Sequence, residues 1–275
     1  MNTYRIAGVS INAEILPSSF EPFLCRETND TPDSTVEITE SINIIGARKC
    51  TSTPFFTVLT KDNCWILTSV KSMSKIQISS DYRKAVLCAP DGLENKDVEL
   101  LLRIFVECQM IGKGCLSLHS ACIEKDGKAV CFSGTSGIGK STRAEQWVEH
   151  LGFSLLSGDR PGIMIPSKQV CGVPWDGKEN LHINKIADLK GIFEIKRSEK
   201  TAVYKISSEE AYSFLARQIF VPMWDSILAT KAMINLRKLT AAIPAYRLFC
   251  GPDEDSARKA YDIIFNNPEK IISEE

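Results

Sequence analysis

The stretch Phe132-Ser133-Gly134-Thr135-Ser136-Gly137-Ile138-Gly139-Lys140-Ser141-Thr142 decides how the rest of the chain is read. Gly134, four residues, then Gly139, Lys140 and Ser141 match G-x-x-x-x-G-K-S/T, the Walker A pattern, in which successive backbone N–H groups surround the phosphates of a nucleotide. Glycines suit such a loop because the backbone must come close to phosphate oxygens and adopt φ values that a Cβ disfavours. Lys140 brings a mobile positive charge toward the β- and γ-phosphates, and the Ser141 hydroxyl is a ligand for Mg²⁺. Ala129-Val130-Cys131-Phe132 reads as a strand before the loop, and residues 142–148 read as a helix after it, which is the setting the motif requires. The helix N-terminus adds its dipole to the anion site. The expectation is a nucleotide cradle made of Gly134, Thr135, Ser136, Gly137, Ile138, Gly139, Lys140, Ser141 and Thr142, with ATP and Mg²⁺ as ligands.

Composition bounds the partners. The chain has 275 residues, of which 24% are charged and 44% hydrophobic, enough for one large domain or two modest ones around a buried core. A formal net charge of −1 and a pI near 6.4 exclude an overall positive field for nucleic acid or anionic membrane. The N-terminus lacks the apolar region of a signal peptide and no run reaches bilayer length, so the expected location is cytoplasmic, without a membrane partner. The ten cysteines are scattered through apolar segments with no C-x-x-C pair, and none of the three histidines sits at ligand spacing from one. They read as buried free thiols rather than disulfides or zinc ligands.

Outward from the loop, residues 1–93 show short alternating segments and read as a β-rich accessory region, with residues 94–275 as the nucleotide-binding domain. Arg5 to Ile11 and Val36 to Thr39 alternate; residues 55–59 and 64–67 flank a hairpin loop at 60–63; residues 74–79 and 84–88 continue the pattern. From Asn95 to Met110 the apolar residues recur at helical spacing. Further on, residues 191–195 read as a strand, Ser207 opens a helix running to Phe220, 226–240 form another, 246–250 a strand and 253–265 a last helix.

Cys115 to Ile123 and Lys128 to Phe132 read as two strands joined across Asp126-Gly127, a strong two-residue hairpin signal. Pairing Lys125 with Lys128 fixes the register and, continued, sets His119 opposite Gly134 at the mouth of the loop. A half-buried core histidine is the plainer alternative; in the site, an imidazole can hydrogen-bond phosphate or set the state of a carboxylate. The next strand, 152–157, ends at Gly158-Asp159-Arg160. An acid at that strand end is placed to bind Mg²⁺ or take a proton from a hydroxyl, against the alternative of a surface turn paired with Arg160. Arg160 either neutralises transferred phosphate or clamps Asp159. After a hairpin over 161–173 comes Pro174-Trp175-Asp176-Gly177-Lys178-Glu179, where Trp175 and Lys178 are candidate substrate contacts or, in turn, a structural anchor and a surface charge.

His119, the loop Gly134–Thr142, Gly158-Asp159-Arg160 and Val173-Pro174-Trp175-Asp176-Gly177-Lys178 together resemble the HPr kinase and phosphoenolpyruvate carboxykinase-like superfamily. More narrowly, they are similar to HPr-kinase-related proteins found beside peptide-modification genes, some of them lasso-peptide kinases. The resemblance spans about residues 95–265. It implies an α/β fold with a mixed β-sheet around the P-loop, ATP and Mg²⁺ bound by that loop, and phosphoryl transfer to a serine hydroxyl. In that family a histidine on the preceding strand reaches the site, and an acid at the position of Asp159 acts as base or metal partner. The catalytic set so implied is Asp159, His119 and Lys140, with Ser141 and Asp159 at the metal and a protein, peptide or small-molecule hydroxyl as acceptor; the superfamily contains oligomers, which leaves a homo-oligomer open. Gly158-Asp159 stands where true HPr kinases have two consecutive acids, so HPr itself and the paired phosphorylase activity are not carried over. The other class of activity open to this sequence is a nucleotide-dependent regulatory or ATPase module without an acceptor.

Overall fold

In the computed structural model of the chain, residues 1–25, 31–175, 181–251 and 255–266 are described. The chain divides into two compact units, Met1–Lys113 with Val221–Ala229, and Gly114–Phe220 with Thr230–Glu275. Together they are α/β, with parallel and antiparallel strand pairs mixed in each sheet. Among the described residues no helix is long and apolar enough to cross a membrane.

The first unit is a sheet of β1 (Asn2–Ile6), β2 (Val9–Ala13), β3 (Leu24–Cys25), β4 (Ser34–Thr39), β5 (Arg48–Ser52), β6 (Phe56–Lys61), β7 (Cys64–Ser69), β8 (Lys75–Ser79) and β9 (Lys84–Cys88), in the order β3-β1-β2-β4-β9-β8-β7-β6-β5. The sequence reads Arg5 to Ile11 as one strand; the structure folds it into a hairpin. Ala7 and Gly8 sit at φ 51° and 80°, and this left-handed two-residue turn returns the chain so that Ile6 pairs with Val9. Asp62 and Asn63, at φ 49° and 58°, make the equivalent turn between β6 and β7. Helix α1 (Lys96–Gly112) starts where the Asn95 side chain accepts from the Asp97 N–H. It packs on β2, β7 and β8, which groups it with the first unit, whereas the sequence reading groups it with the second. Within the same unit Tyr82 donates to Asp225 at 3.0 Å, and Trp224 meets Phe56 edge-on.

The second unit contains β10 (Cys115–Ser117), β11 (Ser120–Lys125), β12 (Lys128–Ser133), α2 (Lys140–Leu151), β13 (Ser154–Ser157), β14 (Gly162–Met164), β15 (Gln169–Cys171), β16 (Ile186–Arg197), β17 (Ala202–Ile206), α3 (Ser208–Leu215), β18 (Ala245–Cys250) and α5 (Asp255–Tyr261), while α4 spans Ser226–Ala242. The long β16 is the hub: it pairs in parallel with β12 and β18 and antiparallel with β15. On the far side of β12 lie β11 and then β13, both antiparallel. Phe132 on β12 and Phe193 on β16 stack at 5.6 Å with planes 10° apart, and Trp147 of α2 meets Phe132 edge-on. Ala144, Phe153 and Ile195 complete this core, which seats α2 on the strand that leads into it. Arg143 is buried with α2 and donates to Ser256 Oγ at 2.6 Å, tying α2 to α5. At the other end Gly152 adopts the left-handed C-terminal conformation and Lys125 donates to the Leu151 carbonyl at 2.7 Å.

The second unit departs from the sequence reading in three places. The apolar run Cys115–Ile123 is two strands, because the chain changes partner between β10, which pairs with β14, and β11. The helix from Ser207 stops at Leu215 rather than Phe220, although its capping box, Ser207 with Glu210, is as the sequence implies. The strand β17 is not in the sequence reading at all; it pairs with β18 at the sheet edge.

Cysteine placement agrees with thiols outside disulfides: none of the ten forms one, Cys88, Cys108, Cys115, Cys122, Cys131, Cys171 and Cys250 are buried, and burial pushes the Cys171 thiol up to about 12.

Candidate functional site

The site begins where β12 ends. Ser133 is the last strand residue, and the next six contain three glycines at φ 149°, 74° and 111°, namely Gly134, Gly137 and Gly139. A Cβ on Gly134 would also stand 3.1 Å from Ile138 Cγ2, so the turn is restricted to glycine by strain and by space. Gly139 is the N-cap of α2 and offers no side-chain cap, which leaves the first-turn amides of the helix for an anion. Lys140 folds back over the loop and donates to the carbonyls of Gly134 and Thr135 at 3.2 and 3.3 Å. Burial lowers its pKa, with Arg160 adding to the shift and Asp159 opposing it.

His119 lies where the hairpin register sends it. The ladder runs from Lys125↔Lys128 to Ser120↔Ser133, so His119 is the first residue beyond it, next to the loop's first glycine in the register. Its backbone is held on both sides: its N–H donates to the Gln218 carbonyl at 2.8 Å and its carbonyl accepts from Ser133 Oγ at 2.8 Å. The imidazole is hydrogen-bonded by the Gln218 side chain and places Nε2 3.8 Å from Asp159 Oδ1. Burial lowers its pKa; Lys140 and Arg160 lower it further while Asp159 raises it, and the net direction is down. At neutral pH His119 is therefore a neutral imidazole, able to accept a proton.

Asp159 is presented by a constrained turn. Arg160 takes a left-handed φ of 52°, Ser157 Oγ donates to the Asp159 carbonyl at 2.8 Å, and the Trp175 indole N–H donates to the Arg160 carbonyl at 3.3 Å. Trp175 is 2% exposed, so the structure gives this candidate substrate contact the position of the anchor under Asp159-Arg160. Lys178, the other candidate of that loop, lies outside the described residues.

The structure thus brings His119, Lys140, Asp159 and Arg160 into one electrostatic neighbourhood at the open side of the loop. It adds two residues with no sequence signal. Arg197, the last residue of β16, donates to the Gly137 carbonyl at 2.6 Å and clasps the loop from outside. Gln218 fixes both the backbone and the ring of His119. Arg197 reaches the loop from the end of β16, and Gln218 reaches His119 beside the isolated Leu118–Ile219 bridge; both contacts join distant segments, which no local motif encodes.

Two hollows flank α2 where it meets the loop. A cleft of about 530 Å³ is lined by Gly139, Thr142, Arg143, Arg197, Glu199 and Gly251. On the other side, a groove of about 170 Å³ runs past Ser141 and Gly158 between α2 and the strands β11 and β13. For a metal, the donor set on offer is the Ser141 hydroxyl and the Asp159 carboxylate. These are hard oxygens that suit Mg²⁺, which takes few protein ligands and completes its shell with phosphate and water. Among the described residues no group of three or more His, Cys, Asp or Glu side chains forms a self-sufficient metal site. Set against family models and against curated proteins, the chain finds no match in either, and the reading of its site rests on this geometry.

Proposed function

We propose that the chain is an ATP- and Mg²⁺-dependent phosphotransferase acting on a hydroxyl acceptor, with a P-loop core of the HPr kinase and phosphoenolpyruvate carboxykinase-like type. The observation that carries the reading is the His119–Asp159 pair, 3.8 Å apart, in the electrostatic reach of the loop lysine Lys140. Binding a nucleotide needs only the loop; a paired carboxylate and neutral imidazole beside it supply what transfer needs in addition, a proton acceptor.

In this reading the amides of residues 134–142 and Lys140 hold the triphosphate, and the nucleoside lies toward the cleft at Thr142 and Arg197. Ser141 and Asp159 are the residues that would hold Mg²⁺, which would supply charge neutralisation for the transferred phosphoryl group. Asp159 would orient the acceptor hydroxyl and take its proton, with the His119 imidazole 3.8 Å away acting on that carboxylate through its field. The acceptor oxygen bonds the γ-phosphorus, the bond from that phosphorus to the β–γ bridging oxygen breaks, and ADP departs with that oxygen. Arg160 lies beside the developing charge.

The test is transfer from γ-labelled ATP to peptides or lysate fractions by wild type, Asp159→Asn and Lys140→Ala. Labelled acceptor that vanishes in Asp159→Asn while nucleotide still binds supports the enzyme. Binding without any labelled acceptor sinks it, and leaves the nucleotide-dependent regulatory or ATPase module.

A further inference from the structure

We infer that Gln218 is a positioning residue of the site: its amide oxygen holds the ring proton of His119 on Nδ1 and so keeps a bare Nε2 turned toward Asp159. The inference rests on the phosphotransfer reading and adds to it a residue that acts through His119.

The backbone puts Gln218 there. Leu118 and Ile219 form an isolated antiparallel bridge, and the bonds on either side of it run from the His119 N–H to the Gln218 carbonyl at 2.8 Å and from the Phe220 N–H to the Ser117 carbonyl at 3.3 Å. In that register His119 and Gln218 stand directly opposite, so their side chains leave the backbone on the same face as cross-strand neighbours. Both segments are held in turn. The Gln218 N–H donates to the Leu215 carbonyl at 2.8 Å, the Leu118 N–H to the Pro161 carbonyl at 3.2 Å, and the His119 carbonyl accepts from Ser133 Oγ at 2.8 Å. Gln218 is buried, and its side chain hydrogen-bonds the imidazole.

An imidazole beside an acid needs such a partner. Rotation about χ2 is soft and roughly two-fold for histidine, and a half-turn exchanges ring nitrogens for ring carbons. Backbone bonds fix where the ring hangs, not which edge it shows to Asp159. A hydrogen bond to one nitrogen removes that freedom, and it also decides which nitrogen carries the proton of the neutral ring.

The 3.8 Å between Nε2 and Asp159 Oδ1 tells which nitrogen that is. An N–H aimed at a carboxylate closes to about 2.7–2.9 Å, whereas two bare acceptors stand apart. With Nε2 bare the proton sits on Nδ1, and the amide meets it with oxygen. The sense of the Gln218 bond agrees, since it favours the protonated ring, as an accepting oxygen does and a donating amide N–H does not. His119 then faces the site as a lone pair, alongside the carboxylate that takes the proton of the incoming hydroxyl.

The experiment reads the tautomer of His119 from two-bond ¹H–¹⁵N correlations on the neutral ring at about pH 8, the signal being assigned by its loss in His119→Gln. It is run on wild type, Gln218→Met, Gln218→Asn and Gln218→Glu, with Tm, nucleotide affinity and transfer from γ-labelled ATP measured on each. Wild type should show the Nδ1–H tautomer. Gln218→Met, of equal length without the oxygen, and Gln218→Asn, whose amide falls short, should shift the ring toward the other tautomer and lower kcat about tenfold at unchanged nucleotide affinity. Gln218→Glu keeps an accepting oxygen at full reach and should restore both the tautomer and most of the rate. An Nε2–H tautomer in wild type, or a ring signature that none of the substitutions moves, overturns the inference. A ring that changes tautomer while kcat holds overturns the role in transfer. The ring signature needs neither ATP nor acceptor, so a wild type that shows the Nδ1–H ring and labels no acceptor sinks the phosphotransfer reading, and the role in transfer with it, while the ring assignment stands.

Discussion

Nε2 of His119 faces Oδ1 of Asp159 across 3.8 Å, with the side chains 30% and 32% exposed. The distance is long for a hydrogen bond, so the pair is coupled by field more than by a shared proton. Of the charges around the imidazole, Asp159 is the one that raises its pKa, against burial, Lys140 and Arg160. Asp159→Asn should therefore move the His119 titration still lower, as read from its ring proton shifts. A titration that moves upward refutes the assignment of these neighbours.

The same depression has a sign in stability. The folded imidazole binds its proton at a lower pH than the unfolded one at 6.5, so the unfolded chain binds more protons in that window. Stability is unaffected by this group above that window and falls as pH drops through 6.5 toward the folded value. His119→Gln should flatten that part of a Tm-versus-pH curve, and an unchanged slope would count against the shift.

Lys140→Ala removes the cation that caps the loop at the Gly134 and Thr135 carbonyls. Nucleotide affinity should fall about 10- to 100-fold, the range of a lost charge-assisted phosphate contact, when measured by equilibrium binding at fixed salt. Undiminished affinity removes Lys140 from the phosphate site.

Trp175→Phe keeps the buried ring volume and deletes the donor to the Arg160 carbonyl. The expected cost is about 1 kcal/mol of stability, the net worth of one hydrogen bond. Because that carbonyl belongs to the turn carrying Asp159, transfer should slow while nucleotide affinity holds. A loss of acceptor KM alone would instead make Trp175 a substrate contact.

Phe132→Ala empties the contact between β12, β16 and α2. A loss of about 3–5 kcal/mol in denaturant unfolding is expected from the cavity. The packing of Phe132 against both Phe193 and Trp147 is what couples this change to the loop.

What the sequence shows of this architecture is its local part. The glycine-rich turn ahead of α2 and the Asp126-Gly127 hairpin are legible because each is specified within a dozen residues, and the hairpin register carries His119 beside that turn. The Ala7-Gly8 turn is as local, but unbroken apolar alternation on both sides hides it. The break at Leu118-His119 is hidden likewise: the pattern continues while the partner strand changes from β14 to β12. β17 follows a charged stretch and pairs at an edge, where burial leaves a weak mark. Arg197 and Gln218 enter the site through long-range pairings, which composition and spacing do not encode.

The parallel pairing of β12 with β16 also sets the order of assembly. The β11–β12 hairpin closes over two residues and can form within microseconds, but its parallel neighbour begins at Ile186 and ends at Arg197, whose guanidinium reaches Gly137 over 60 residues of sequence. A chain emerging from the ribosome carries the whole nucleotide motif long before the strand that shapes it exists. Nascent chains ending ahead of Ile186 should bind nucleotide poorly despite an intact motif, and the capacity should appear abruptly once Arg197 has cleared the exit tunnel.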